Sequence, residues 1–208
     1  MNVAVITETR YISNIGSVIR DHLQFLPGYD LIIFHGSNNE VLFKGLKGKR
    51  FTVNINNLHQ YNALMTSTEY WNKLLSYDRV LIFQHESMIL RDGIEEFYEW
   101  DYVGAPWKFQ LHGGNGGLSL RNPKIMYETL TRIPYNPTLG YEDVYFCNHM
   151  KGNLAPREVC EKFSCETIYK LGTLGYHAID NYLNKQQCNE IKDQYKRNRG
   201  VSSRSIFI

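Results

Sequence analysis

Apolar positions along this chain follow two rhythms. Unbroken short runs, VAVI at 3–6, LIIF at 31–34 and VLIF at 80–83, have the form of strands covered on both faces, where apolar and polar positions need not alternate. Between them, Val18, Ile19, Leu23 and Leu26 recur at helical spacing over 15–26, as one apolar helix face requires. TSTE at 66–69 has the form of a capping box, with Thr66 as N-cap and Glu69 at the third helical position, and Tyr70, Trp71, Leu74 and Leu75 supply the apolar face behind it. The pattern predicts strands over 2–6, 30–34, 51–55 and from Arg79 onward, with TETR at 7–10 as the loop after the first. It predicts further helices over 94–100, 123–130, 142–150 and 155–162, the last with Pro156 in its first turn. A polar, basic tail from Lys185 is expected to form a helix that frays. Residues 44–50 read as a Gly/Lys-rich connection, either a solvated turn or a steering patch for a phosphate donor. No internal repeat or low-complexity segment interrupts the alternation of strand and helix, which places the chain in the α/β class.

A length of 208 residues suits one domain with a sizeable core, so 1–208 is expected to be a single unit. The 23 basic and 21 acidic residues leave a formal charge of +2, which gives no global electrostatic reason to bind nucleic acid. Cys147, Cys160, Cys165 and Cys188 lack CxxC spacing, so free thiols in a reducing compartment are expected rather than a zinc cluster or a disulfide framework. The opening MNVAVITETR passes straight into a strand without a signal-like segment, and no stretch approaches the roughly 20 apolar residues that span a bilayer. The expectation is a cytoplasmic protein without a transmembrane segment. The 15 tyrosines fit either ring-lined polar clefts or ordinary half-buried packing.

The strand at 79–83 ends abruptly in Gln84, His85 and Glu86, and polar groups at the carboxyl end of such a strand stand where α/β sheets bind ligands. Asp78, at the other end and about 20 Å from Gln84 at strand rise, reads as a turn acid. GGNGG at 113–117 lacks the third glycine of a dinucleotide fingerprint, since Ser119 stands in its place. Its glycines suit unusual φ angles or a close approach of backbone to ligand. Trp107 offers either a flat face for a sugar or a buried core ring. Glu142 and Asp143 begin a helix, where the macrodipole alone favours acids and where a general base is also possible.

FQHESMIL, DYVGAPW, GNGGLSLR, YEDVYF and LAPREVCEKFSCET, in this order and at these intervals, resemble a glycosyltransferase-like family of large DNA viruses and microbes. The resemblance covers about 61–177, with GAPW followed by GNGG its most specific combination. It implies a GT-A fold with a mostly parallel mixed sheet flanked by helices, a UDP-sugar donor and a divalent metal, manganese or magnesium. The implied activity is transfer of a hexose or deoxyhexose to a glycan hydroxyl, such as a glycan of a viral capsid protein, in the host cytosol if viral.

Enzymes of this class carry Asp-X-Asp where this chain has Gln84, His85 and Glu86. The first carboxylate is missing, so the implied metal ligands are Glu86 and, from a late loop, His177. Gln84 would reach a ribose hydroxyl or a metal-bound water, and His85, expected to point the opposite way in an extended chain, could still touch the donor. Thr7, Glu8, Thr9 and Arg10 occupy the place where the fold reads uridine, with Thr7 and Thr9 on the base edge and Arg10 toward a phosphate or the ribose. Trp107, Asn115, Gly116 and Gly117 would meet the sugar. Glu142 or Asp143 would serve as general base in an inverting transfer, or position the sugar in a retaining one. His177 as a satisfied histidine, Glu86 as a solvated acid, and the whole as a catalytically silent sugar- or nucleotide-binding module remain the competing readings.

Overall fold

The computed structural model describes residues 1–198. Its strands are β1 (Asn2–Glu8), β2 (Asp30–His35), β3 (Lys49–Thr52), β4 (Arg79–Phe83), β5 (Ser87–Ile89), β6 (Tyr102–Gly104), β7 (Leu118–Arg121), β8 (Ser164–Cys165) and β9 (Gly175–His177). Its helices are α1 (Ile15–Leu23), α2 (Leu58–Met65), α3 (Thr68–Asn72), α4 (Pro123–Arg132), α5 (Glu142–His149), α6 (Arg157–Phe163) and α7 (Lys185–Asn198). Six strands form the central sheet in the order β3-β2-β1-β4-β7-β6. The first four run parallel, and β7 lies antiparallel to both β4 and β6. A small sheet, β5-β9-β8, follows directly from the end of β4.

Alternate residues of the apolar strands serve opposite faces, and both faces are covered. Ala4, Ile6, Leu81 and Phe83 pack with Ile15 and Ile19 of α1 and Phe163 of α6. Val3, Val5, Val80 and Ile82 pack with Met65, Tyr70, Trp71 and Phe146 on the other side. This double cover is why those strands lack alternation in sequence. Asp78 meets the chain's N-terminal ammonium at the far edge, as a turn acid, and all four cysteines are free and buried.

Several boundaries differ from the pattern-based ones. Thr7 and Glu8 belong to β1 rather than to a loop, because both continue the parallel register with β2. β3 begins at Lys49 inside the Gly/Lys-rich stretch, pairing its backbone with Ile32 to His35, and 53–55 lie beyond it. Thr66 is not an N-cap. It closes α2, a helix that the polar LHQYN concealed, and its hydroxyl donates back to Asn62 O at 2.6 Å. Ser67 caps α3 instead, accepting from Tyr70 N at 3.2 Å. Glu69 turns outward to Lys73, and α3 ends at Asn72, short of Leu74 and Leu75. The 94–100 helix shrinks to a 3-10 turn at Ile94–Phe97, and Pro156 caps α6 rather than lying within it. The fraying expected toward the end of the basic tail falls on residues beyond 198, outside the described residues.

Arg121 and His22 are among the polar side chains buried in this core. On β7, Arg121 is fully enclosed beside Tyr102, whose ring centroid is 4.7 Å from the guanidinium carbon. Its charge is met by Glu142 at the start of α5, through two contacts of 2.6 and 2.9 Å. On α1, His22 stacks on Phe83 with centroids 4.4 Å apart. Its Nδ1 lies 2.8 Å from Val18 O and its Nε2 3.1 Å from Ser87 Oγ. Burial lowers the His22 pKa from 6.5 to about 4, overcoming the Val18 carbonyl and Asp21.

A depressed histidine pKa means that only the unfolded chain takes up this proton between those two values, so stability is complete above about pH 6.5 and falls as the medium is acidified toward pH 4. His22 should contribute about 2 kcal/mol to the loss of unfolding free energy between about pH 7.5 and about pH 5. Urea unfolding at both values should show a smaller loss in His22→Gln than in the wild type, and equal losses would contradict the assignment. Removing one member of the enclosed ion pair leaves an unpaired charge, so Arg121→Met should cost about 3–5 kcal/mol in the same assay. Arg121→Met combined with Glu142→Leu should recover most of that loss, and a double variant as unstable as the sum of the singles would refute the pairing.

Candidate functional site

The order of the central sheet reverses direction between β1 and β4, since β1 leads outward to β2 and β3 while β4 adjoins β7. Ligands of open α/β sheets bind in the crevice outside the carboxyl ends of strands at such a point. A cleft of about 510 Å³ opens there, lined by Thr7, Glu8, Thr9 and Arg10 from the end of β1, by Gln84 and Glu86 from the end of β4, and by Asn38, 55–58 and Tyr61. A second hollow, of about 440 Å³ and lined with Asn38, Asn54 and Asn56, shares Thr9, Asn38, Ile55 and Asn56 with it. The structure therefore brings together the two segments that sequence alone singled out, 7–10 and 84–86.

Within the cleft, Glu8 and Arg10 are locked to each other. Arg10 Nε and Nη2 donate to the two oxygens of Glu8 at 2.9 and 2.8 Å, and the Arg10 backbone N–H adds a third bond of 2.9 Å. Burial alone would raise the Glu8 pKa, but the bonds from His85 and Arg10 outweigh it and hold the carboxyl down at about 2. His85 bridges this pair to Glu86, its Nδ1 being 3.4 Å from Glu8 and its Nε2 3.4 Å from Glu86. It does not face away from its neighbours, as extended geometry required. The chain turns after Phe83, with Ser87 N–H bonded to Gln84 O at 3.0 Å. Thr9 spends its hydroxyl proton on Ile55 O at 2.7 Å, so it secures the opposite wall of the cleft rather than presenting a donor to a base.

Glu86 and His177 come from neighbouring backbone, for Ser87 pairs with His177 and Ala178 N–H bonds to Glu86 O at 3.0 Å. Their side chains differ in setting. Glu86 is 47% exposed at the cleft edge, whereas His177 is buried, with Nδ1 2.9 Å from Glu166 Oε1 and Nε2 3.0 Å from the Gln84 amide. The other end of that amide is 3.0 Å from the Tyr61 hydroxyl. Among the described residues, no three histidine, cysteine or carboxylate side chains gather to form a metal cage. Glu86 and His177 supply a carboxylate and an imidazole from neighbouring backbone. That set fits a divalent ion taking its remaining ligands from phosphate and water, as magnesium-type ions usually do.

The glycine loop lies behind these groups. Gly116 N–H donates to Asp143 Oδ2 at 3.1 Å and Gly117 N–H to Asn115 Oδ1 at 2.6 Å. A Cβ on Gly116 would overlap the Glu142 carboxylate and Arg121, and one on Gly117 would overlap the His177 ring. Gly116 and Gly117 thus admit the chain's own side chains, and Gly113 takes the unusual φ, +83°, that the sequence allowed for this loop. The Asn115 side-chain oxygen is likewise committed to the loop. Trp107 is 3% exposed and stacks on Phe109, so it is the core ring of the two alternatives and has no face for a sugar.

At the start of α5 the adjacent acids part company. Glu142 is bound to Arg121, and its backbone N–H donates to Asn62 at 2.8 Å. Asp143 receives N–H bonds from Gly116 and from Val144. Burial, then the neighbouring Glu142 charge, push the Asp143 pKa up to about 6 against those bonds. Sequence reasoning missed Tyr61, Arg121 and Glu166. Arg121 was legible in principle as a charge closing an otherwise apolar strand, but a glutamate in SCET carries no such signal.

The fold is that of the GT-A glycosyltransferases. The galactosyltransferase LgtC, solved in complex with donor and acceptor sugar analogues, matches with a TM-score of 0.55 at 12% identity, over 98% of this chain and 96% of that one. The glycosyltransferase GlyE of Streptococcus pneumoniae TIGR4, in its apo form, matches with a TM-score of 0.56 at 10% identity, over 94% of this chain and 60% of that one. No curated protein matches the sequence. Among the described residues, no helix is long and apolar enough to cross a membrane. The profile of one sequence family spans residues 46–177, from within the Gly/Lys-rich connection to His177. The chain therefore belongs to the family described as protein of unknown function DUF5672.

Proposed function

We propose that this protein is a glycosyltransferase that takes a hexose or deoxyhexose from a UDP-sugar, with a divalent ion, and delivers it to a glycan hydroxyl. The observation that carries this reading is the cleft at the reversal point of the sheet, with 7–10 on one wall and Gln84 and Glu86 on the other. Its neutral extension along Asn38, Asn54 and Asn56 suits a base and ribose, which offer hydrogen-bonding edges without charge. Arg10, held rigid by Glu8, faces the diphosphate. Glu86 and His177 would hold manganese or magnesium, with Gln84 toward the nucleotide, and the bound ion would stabilise the charge growing on the departing diphosphate.

The acceptor side is assigned to Asp143. Glu142 is unsuited to take a proton because both its oxygens are bound by Arg121, so it positions α5 and the glycine loop. Asp143 accepts the proton of the acceptor hydroxyl as that oxygen forms its bond to the anomeric carbon and the carbon–oxygen bond to UDP breaks. Such a transfer inverts the anomeric centre. The resemblance to viral relatives makes a capsid-borne glycan a candidate acceptor. The missing first carboxylate favours one rival, a silent binding module that holds sugar or nucleotide without turnover.

Calorimetry with UDP, with GDP and CMP as controls, should show selective binding that is strengthened by manganese. Glu86→Ala should abolish the manganese dependence with the fold intact, and unchanged manganese-dependent affinity in that variant would remove the metal assignment. Binding without release of free sugar from any UDP-sugar, and without transfer, would establish the silent module. Turnover by an ionised Asp143 should fall as pH drops below about 6, and Asp143→Asn should lose about 100-fold or more at neutral pH. An Asp143→Asn variant with wild-type turnover would exclude the base.

A further inference from the structure

Glu166 lies just beyond β8, is 2% exposed, and places Oε1 at 2.9 Å from Nδ1 of His177. An ionised carboxylate only accepts hydrogen bonds, so this contact requires the proton on Nδ1. In a neutral ring the other nitrogen, Nε2, then carries the lone pair, and it lies 3.0 Å from the Gln84 amide. A Tyr hydroxyl can donate or accept, whereas an unprotonated ring nitrogen can only accept. The structure places Gln84 Oε1 toward Nε2 and the Gln84 nitrogen toward the Tyr61 hydroxyl, 3.0 Å away in each case; an unprotonated Nε2 requires the amide turned over, its nitrogen donating to His177 and its oxygen accepting from Tyr61, an exchange of amide ends that leaves the heavy-atom positions unchanged. The backbone of Gly117 lies so close to the imidazole that an added Cβ would overlap Nε2, Cε1 and Cδ2. The ring is held between that backbone and Glu166.

We propose that Glu166 is the positioning residue of the donor site, fixing His177 as its Nδ1–H tautomer so that the Nε2 lone pair faces Gln84. A cation bound there would take the Nε2 lone pair in place of the hydrogen bond from Gln84. A carboxylate behind a histidine is the arrangement that orients an imidazole toward a metal and raises its basicity. The functional half of the assignment rests on the donor-site proposal, and the tautomer stands without it.

The test is ¹⁵N NMR of the histidine ring nitrogens in the full chain, at about pH 7.5 where an ordinary imidazole is neutral, with the His177 signals identified by their loss in His177→Asn. The expected wild-type pattern is a protonated Nδ1 and an unprotonated Nε2. Glu166→Gln, whose amide oxygen still accepts from Nδ1–H, should keep that pattern, and Glu166→Ala should lose it. In parallel, Glu166→Ala should weaken manganese-dependent UDP binding by about 10- to 100-fold, with Glu166→Gln recovering most of the loss. A wild-type ring protonated on Nε2, alone or together with Nδ1, would overturn the proposal, as would a Glu166→Ala ring that keeps the wild-type pattern. If the wild type binds no UDP while the tautomers behave as expected, the donor-site proposal fails and the tautomer assignment survives. If UDP binds and Glu166→Ala leaves its affinity unchanged, the positioning role alone fails.

Discussion

The ion pair between Arg121 and Glu142 is the contact on which the rest of the site depends. A guanidinium enclosed by Tyr102, Trp71 and Phe146 is tolerable only with a carboxylate in place, because an unpaired charge there would cost several kcal/mol. The pair therefore fixes the start of α5 against β7 and leaves room for only a glycine at position 116. Asp143 then receives the Gly116 N–H, and Asn62 of α2 caps the arrangement through the Glu142 N–H. Tyr61, the neighbour of Asn62, is thereby placed to meet Gln84. Sheet, helix pair and glycine loop are held together by one charge and its counter-charge.

The cleft itself works with a different electrostatic balance. Glu8 and Glu86 are both acidic, and Arg10 offsets only one of them. A diphosphate approaching this set would gain from a further cation, in keeping with a divalent ion arriving with the donor rather than being held in a protein cage. Gln84 in place of a carboxylate fits the same logic. It gives up a charge and gains a two-ended amide that links His177 on one side to Tyr61 on the other, joining the small sheet to the face of the large one.

The strands of the core were legible because a sheet covered on both faces writes an unbroken apolar run into the sequence, and β1, β2 and β4 all carry one. The location of the cleft was legible for a related reason, since polar residues end β1 and β4 abruptly. α2 was not, because LHQYN contributes few apolar positions and its purpose is to present Tyr61 and Asn62. Thr66 imitated an N-cap because its spacing to Glu69 satisfies the capping-box pattern, whereas the hydroxyl of Ser67 holds the better position. The commitments of individual site residues were least visible. That Glu142 belongs to Arg121, that His177 rests on Glu166 and that Trp107 is buried are facts of tertiary packing between segments 11 to 50 residues apart in their contacts, and no local pattern records them.

The central claim is that the crevice between β1 and β4 is a nucleotide-sugar site. A crystal structure of the protein grown with UDP and manganese tests it most directly. The account predicts uracil and ribose density along 7–10 and 54–57, with the diphosphate and a metal peak beside Glu86 and His177. Nucleotide density elsewhere on the protein, with this cleft empty, would contradict it.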